Sequence, residues 1–320
     1  MVKLLLLFLL ITNSLFALSN DLVQVYRTQG FDAVKKILEA QLAKKEYWDY
    51  HLSNQDISNG YYESIQYVMI CQKDMQDIVL YDTKKKQKLF SSSVFTGKVS
   101  GDKKVEGDLK TPVGAYQLTN KLTKLDPFYG PLALTTNYPN RFDRANGKTG
   151  HGIWIHGLPE DEKRDEFTQG CIALDNDKIK KLSSSINFKN SVLVISEGKF
   201  NNASKEDIAS ILSNVFKWRD AWKKSDLKTY LSFYDKSFKK SNGQTLKKFK
   251  AHKKRIFAKK EKKIIQFKNI NVIPYPNDLG KTLYKVIMDE EYRTKNYQFI
   301  GKKELYVEIK NNQFKILTES

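Results

Sequence analysis

The 320-residue sequence is short of the residues that most often build special chemistry or special backbone. It holds two cysteines, four histidines, seven prolines and sixteen glycines. With Pro and Gly this scarce and 40% of residues hydrophobic, long disordered tracts are excluded, and the length allows two domains with a core in each. Two cysteines permit one disulfide at most. Cys71 closes the apolar run Tyr67-Val68-Met69-Ile70 and reads as a buried, inert thiol. Cys171 follows Thr168, Gln169 and Gly170, a turn-like setting that exposes it. Past the N-terminus no apolar stretch reaches the roughly 20 residues needed to span a bilayer. The one early run, Leu4 to Ile11, is too short; with Lys3 before it and Ser14-Leu15-Phe16-Ala17 after it, residues 1–17 read as a secretory signal. The expectation is an exported, periplasmic protein; the alternative reading is an uncleaved anchor.

Acidic residues are also in deficit: 36 Asp and Glu against 55 Lys and Arg, a net charge of +19. The imbalance is concentrated in residues 201–320, which hold 28 of the basic and 13 of the acidic residues. Such a half suits nucleic acid, an anionic membrane surface or an acidic polymer. Export argues against nucleic acid, and a merely solvated lysine-rich face is the plain alternative.

Three regions follow the signal. Residues 18–58 have helical spacing: Leu22, Val25 and Tyr26 share one face, and after a break at Gly30 so do Val34, Ile37, Leu38 and Leu42. This helical hairpin cannot bury its stripe alone. It packs on the following domain or on a second copy, so a homodimer through these helices is one of two solutions. Residues 59–199 contain short β-branched and aromatic segments, "QYVMICQ", "DIVLYDT", "KLFSSSVFTG", "VGAYQLTN", "GIWIHG" and "SVLVISEG", bounded by turn residues. They predict a mostly-β sandwich or barrel, with one helix after Asp175. Residues 200–320 open on a capping signature, Ser204 with Asp207, before a helix through Trp222. A second helix, "DLKTYLSFY", and then strands around the Asn311-Asn312 turn follow, giving an α+β domain. This half has no Gly-rich loop, and His252 is its only histidine; it reads as binding or structural.

The chemistry concentrates in "HGIWIHGLPEDEKRDEFTQGCIAL", residues 151–174. His151 and His156 are five apart, which misses the i, i+4 spacing of a helical zinc pair, and strand alternation sends them to opposite faces. Neither a metal nor another cofactor is expected. Nucleophilic catalysis fits better. A thiol with pKa near 8.5 needs a base, and His156, ending a strand, is fifteen residues before Cys171. The polar loop between them is long enough to return the chain beside that strand. Gly170 permits a tight turn, so amides around Cys171 suit an oxyanion.

These residues resemble the YkuD-type L,D-transpeptidase signature: "IHG…TQGCIAL" matches His-Gly followed by Ser/Thr-x-Gly-Cys-Ile/Val-Arg, except at its last position. "GDLKTPVGAY", residues 107–116, is similar to the family's second marker, and "YVMICQKDMQDIVLYD" fits its opening strand pair. The resemblance covers about residues 63–198. It implies a catalytic domain acting on peptidoglycan stem peptides, with Cys171 as nucleophile, His156 as base and acid, and the Gly157 carbonyl orienting the imidazole. Gly170 and Cys171 are implied as oxyanion-hole donors. Thr168 stands where the family has Ser or Thr. Trp154 either walls the substrate cleft or fills the core. Ala173 replaces the usual Arg, whose guanidinium would hold a carboxylate or carbonyl.

That departure, with the helical leader and a C-terminal half that looks NTF2-like, resembles the L,D-carboxypeptidases that set cell shape in helical epsilonproteobacteria. The expected activity is therefore removal of the terminal D-Ala from tetrapeptide stems. The alternatives are an L,D-transpeptidase that cross-links stems or attaches protein to them, and a non-catalytic wall-binding platform. The C-terminal domain is expected to bind glycan or a partner, or to cover the cleft.

Overall fold

The computed structural model describes residues 21–159, 166–311 and 313–320. Residues 1–17, expected to be a secretory signal, and residues 160–165 of the loop between His156 and Cys171 lie outside the described residues. Among those described, no helix is long and apolar enough to cross a membrane.

The chain starts with α1 (residues 21–29), α2 (Phe31–Leu42) and α3 (Lys45–Leu52). Gly30, at φ +80°, ends α1 and turns the chain. The hairpin does pack within the chain, but on the last domain and not on the next one. Trp48 and Leu52 are buried against α6 (Lys205–Lys223), with the Trp48 ring stacked on Phe216 at 5.8 Å. Burying side chains of this size contributes about 1.5–3 kcal/mol each. Tyr26 and Leu38 stay exposed. Residues 61–62, placed by the sequence reading in the 59–199 region, form strand β1 (Tyr61–Tyr62), which also belongs to the C-terminal sheet: Tyr61 pairs with Val272 and Tyr62 with Asn271.

The catalytic domain begins with β2 (Tyr67–Gln72), β3 (Asp77–Asp82), β4 (Gln87–Ser93) and β5 (Gly114–Leu122). Then come β6 (Ala133–Thr136), α4 (Arg141–Ala145), β7 (Trp154–His156), β8 (Ile172–Ala173), α5 (Asn176–Ser184) and β9 (Ser191–Ser196). The eight strands run β4-β3-β2-β9-β5-β6-β7-β8. The layers of the expected sandwich are two halves of this one curled sheet, joined through β5. Its first residues, Gly114–Gln117, pair with β9, and its last, Leu118–Leu122, pair with β6. Between the halves lie Met69, Cys71, Ile78, Leu80, Tyr116, Ile153, Ile155, Ile172, Leu193 and Ile195. Burial pushes the Cys71 thiol up to about 12, so it is inert, as the sequence indicates. The predicted helix after Asp175 is α5, anchored by buried Ile179 and Leu182.

The C-terminal domain has α6, α7 (Leu227–Ser232), α8 (Leu246–Ala258) and strands β10 (Ile264–Pro274), β11 (Leu283–Arg293), β12 (Gln298–Lys310) and β13 (Gln313–Glu319). Ser204 caps α6 by accepting the Asp207 N–H at 3.0 Å. The Asp207 carboxylate goes elsewhere, to the Tyr284 hydroxyl at 2.8 Å. One face of this sheet packs on α6; the other packs on the catalytic sheet. At that second interface Phe142 stacks on Tyr306 at 5.3 Å, and Val68, Ile70, Val192 and Val194 meet Ile273, Leu283, Ile287 and Leu317. An apolar interface of this kind holds the two domains as one unit.

Candidate active site

Strand register brings the candidate groups together. β7 and β8 are parallel, with His156 beside Ala173 and Ile155 beside Ile172. In-register neighbours of a parallel pair point to the same face, and residues two apart share it. Cys171, two residues before Ala173, is therefore on the face that carries His156, while Ile155 and Ile172 point into the core. The thiol rests against the start of β7. Trp154 N–H approaches Sγ at 3.5 Å, and Sγ lies 3.4 Å from the Gly152 carbonyl.

His156 is fully buried. Its Nδ1 is 2.6 Å from the Gly157 carbonyl oxygen. A carbonyl only accepts, so Nδ1 carries the proton, and when the ring is neutral its lone pair is on Nε2. His151 is apart from this arrangement. It is exposed, with Nδ1 3.7 Å from Glu106. The reason is more local than strand alternation: β7 starts only at Trp154, and Gly152 at φ +71° breaks the extended chain before it.

Thr168 and Ala173, considered as substrate-binding residues, do not face the cleft. Thr168 is 2% exposed, and its hydroxyl donates to the Cys171 carbonyl at 2.6 Å while accepting the Gly170 N–H at 3.0 Å. It shapes the nucleophile turn. The same bond corrects the role assigned to Gly170, whose amide is engaged by Thr168 instead of being directed at an oxyanion. Gly170 is required sterically, because a Cβ there would sit 2.7 Å from the Lys110 carbonyl oxygen. Ala173 is fully buried, between His156 on β7 and Phe95, with which it exchanges two 2.9 Å backbone hydrogen bonds. It touches no solvent and so no substrate. Trp154 is half-buried, in keeping with a wall of the cleft.

The second sequence marker supports this turn from below. Asp108 pairs with Lys103 Nζ at 2.7 Å and accepts backbone N–H groups from Lys104, Val105 and Lys110. Burial raises its carboxyl pKa, but these donors outweigh that and hold it at about 2. Thr111 Oγ1 accepts the Gly97 N–H at 2.8 Å, and Lys98 N–H bonds the Thr168 carbonyl at 3.0 Å. The marker is thus a scaffold for the loop bearing the nucleophile.

Two residues near the site have no signal in the sequence. Tyr129, at the end of the short 3-10 helix Pro127–Tyr129, sets its ring edge-on to His156, with centroids 5.1 Å apart and planes at 88°, and lies 5.1 Å from Trp154. Asn176, the first residue of α5, accepts the Leu158 N–H at 2.8 Å. Neither contact has a fixed sequence spacing that a reader could exploit.

In the C-terminal domain a second polar cluster sits among aromatic rings. Lys253 lies over Trp222, Tyr230 and Phe249 at 4.9–5.2 Å. Burial pushes its ammonium down to about 8. Lys303 is 3.5 Å from Glu319 and lies over Trp218 and Trp222. Burial raises the Glu319 pKa, yet Lys303, Lys253 and the Tyr234 hydroxyl together hold it below the usual carboxylate range.

The family model of the L,D-transpeptidase catalytic domain, YkuD, matches residues 66–194, and that of the Cds6 C-terminal NTF2-like domain matches residues 210–320. The crystal structure of the helical cell shape determining protein Pgp2 from Campylobacter jejuni superposes with a TM-score of 0.82 at 43% identity, covering 87% of this chain and 100% of that one. Bd1075 of Bdellovibrio bacteriovorus superposes with a TM-score of 0.64 at 28% identity, covering 82% of this chain and 95% of that one. YafK of Escherichia coli K12 is 34% identical over 82 residues, 26% of this chain; the match spans only 30% of YafK. The chain therefore belongs to the YkuD L,D-transpeptidase family, in the form that carries N-terminal helices and a C-terminal NTF2-like domain.

Proposed function

We propose that this protein is a periplasmic peptidoglycan L,D-carboxypeptidase that trims tetrapeptide stems to tripeptides and contributes to cell shape. The observation that carries the reading is the placement of Cys171 and His156 on one face of the β7–β8 pair, with His156 Nδ1 tied to the Gly157 carbonyl. Likeness to a cell-shape protein over nearly its whole length supports the biological setting. In this reading His156 Nε2 takes the Cys171 proton, and the thiolate attacks the carbonyl at the L-centre of diaminopimelate. The tetrahedral intermediate collapses and the C–N bond breaks. His156 returns the proton to the departing amine of D-Ala, leaving a thioester on Cys171. Water, deprotonated by His156, attacks the thioester; the tripeptide carboxylate leaves and the thiol is restored. Cys171 N–H is the oxyanion donor that remains from the sequence reading.

Incubating the purified protein with monomeric tetrapeptide muropeptide is expected to give tripeptide and free D-Ala. Dimers or D-amino-acid exchange without tripeptide would assign it instead to the transpeptidase reading.

The C-terminal domain, in the same proposal, binds anionic wall polymer or glycan through its excess of lysines, the half-buried Lys253 among them. Screening weakens such binding, so affinity for isolated wall fragments is expected to fall with added salt. The Lys253 cation is present below its pKa of about 8, so affinity should also drop as pH rises through that value. A binding isotherm indifferent to both salt and pH refutes the electrostatic version.

A further inference from the structure

The Gly157–Leu158 peptide does two things at once. Its carbonyl oxygen accepts from His156 Nδ1 at 2.6 Å, and its N–H donates to Asn176 Oδ1 at 2.8 Å. A peptide is planar, so fixing its N–H fixes the direction of its carbonyl. The preceding peptide is held as well, through Gly157 N–H to the Tyr129 carbonyl at 3.0 Å. The Asn176 amide oxygen has little room to move. A Cβ on Gly130 would lie 2.5 Å from it, and one on Gly157 would overlap it outright. Two glycines are thus the space into which the Asn176 side chain reaches. Hydrogen bonds in a chain polarise one another, so an acceptor on the N–H strengthens the carbonyl as an acceptor for the imidazole. Asn176 also lies five residues beyond Cys171 on the same segment, and Leu174 N–H, between them, bonds the His156 carbonyl at 3.0 Å.

We propose that Asn176 is a positioning residue for the His156 base, acting through the Gly157–Leu158 peptide and coupling the segment that carries the nucleophile to the strand that carries the base. This rests on the reading that His156 serves Cys171, and the test separates the two. The readout is the second-order rate of Cys171 alkylation by iodoacetamide in the full chain as a function of pH, beside kcat and KM on the tetrapeptide. Asn176→Leu keeps the side-chain shape and removes the acceptor. It is expected to lower the alkylation rate at pH 7 by about tenfold, to move the inflection toward an unassisted thiol near 8.5, and to lower kcat with little change in KM. Asn176→Asp, which keeps an acceptor oxygen, is expected to restore most of the rate.

A variant with an intact thermal transition and a wild-type alkylation profile overturns the proposal. Should Asn176→Leu not fold, Asn176→Ala, which adds no bulk, is read in the same way. If the wild-type profile is already that of an unassisted thiol and His156→Gln leaves it unchanged, the Cys171–His156 reading itself fails, and this inference with it.

Discussion

Cys171→Ala is expected to abolish tripeptide formation, and His156→Gln to slow it by about 10³-fold. The first change removes the only atom in the proposed route that can become the acyl carrier. The second removes the lone pair that takes the thiol proton, while keeping an amide near the position of the imidazole. His156 is fully buried beneath the edge of Tyr129, with its Nδ1 committed to the Gly157 carbonyl. The ring is consequently held in one orientation and one tautomer, and glutamine cannot reproduce its proton transfer. Both variants should keep the wild-type thermal transition to within a few degrees. Product is read by chromatography of the muropeptide digest. Tripeptide released at the wild-type rate by either variant sinks the mechanism. Loss of activity together with loss of the folded baseline would require repeating the measurement with Cys171→Ser.

Gly157→Ala is expected to lower kcat by about 10²-fold and stability by about 1–3 kcal/mol. The added methyl would overlap the Asn176 amide oxygen and lie 2.7 Å from Pro131 Cδ and 3.3 Å from the Gly130 Cα. The Asn176 oxygen ends a side chain that can turn aside only by giving up the Leu158 N–H, and the Pro131 ring and Gly130 Cα are held by the backbone, so the Gly157 backbone itself must shift. That backbone carries the carbonyl that orients His156. A displacement of a few tenths of an ångström there rotates the imidazole away from the sulfur. The effect should fall on kcat more than on KM, because no atom of Gly157 needs to touch the substrate. A kcat within threefold of wild type would show that the carbonyl does not set the orientation of the base.

Much of this site is legible in the linear sequence. The separation of His156 from Cys171, the glycines beside each, and the marker at residues 107–116 are local features. They reflect turns and strand ends that short stretches of chain specify through φ, ψ and alternation. The strands with β-branched and aromatic residues were equally readable. Strand β6 and the two-residue β8 were not. "ALTT" has little apolar alternation, and β8 is held by His156 on one side and Phe95 on the other, not by its own propensity. Thr168 and Gly170 carried the right motif with the wrong roles. A motif states which residues are needed but not whether they face the cleft or brace the turn, and here a single hydroxyl, bridging Gly170 N–H and the Cys171 carbonyl, settles that.

The N-terminal helices show the same limit on a larger scale. Their amphipathic spacing required a partner without naming one, since an apolar stripe is non-directional. Tertiary structure supplied α6, more than 150 residues away in sequence, through Trp48 and Phe216. By itself the sequence indicated the domain order, the strand-rich centre, the inert Cys71, and Cys171 with His156, not His151, as the candidate pair. Only the tertiary structure decided that β1 crosses into the C-terminal sheet, that Ala173 is sealed off from the cleft, and that Tyr129 and Asn176 close around the His156–Gly157 pair. Those contacts join segments through backbone carbonyls and ring edges, which every sequence contains and none marks.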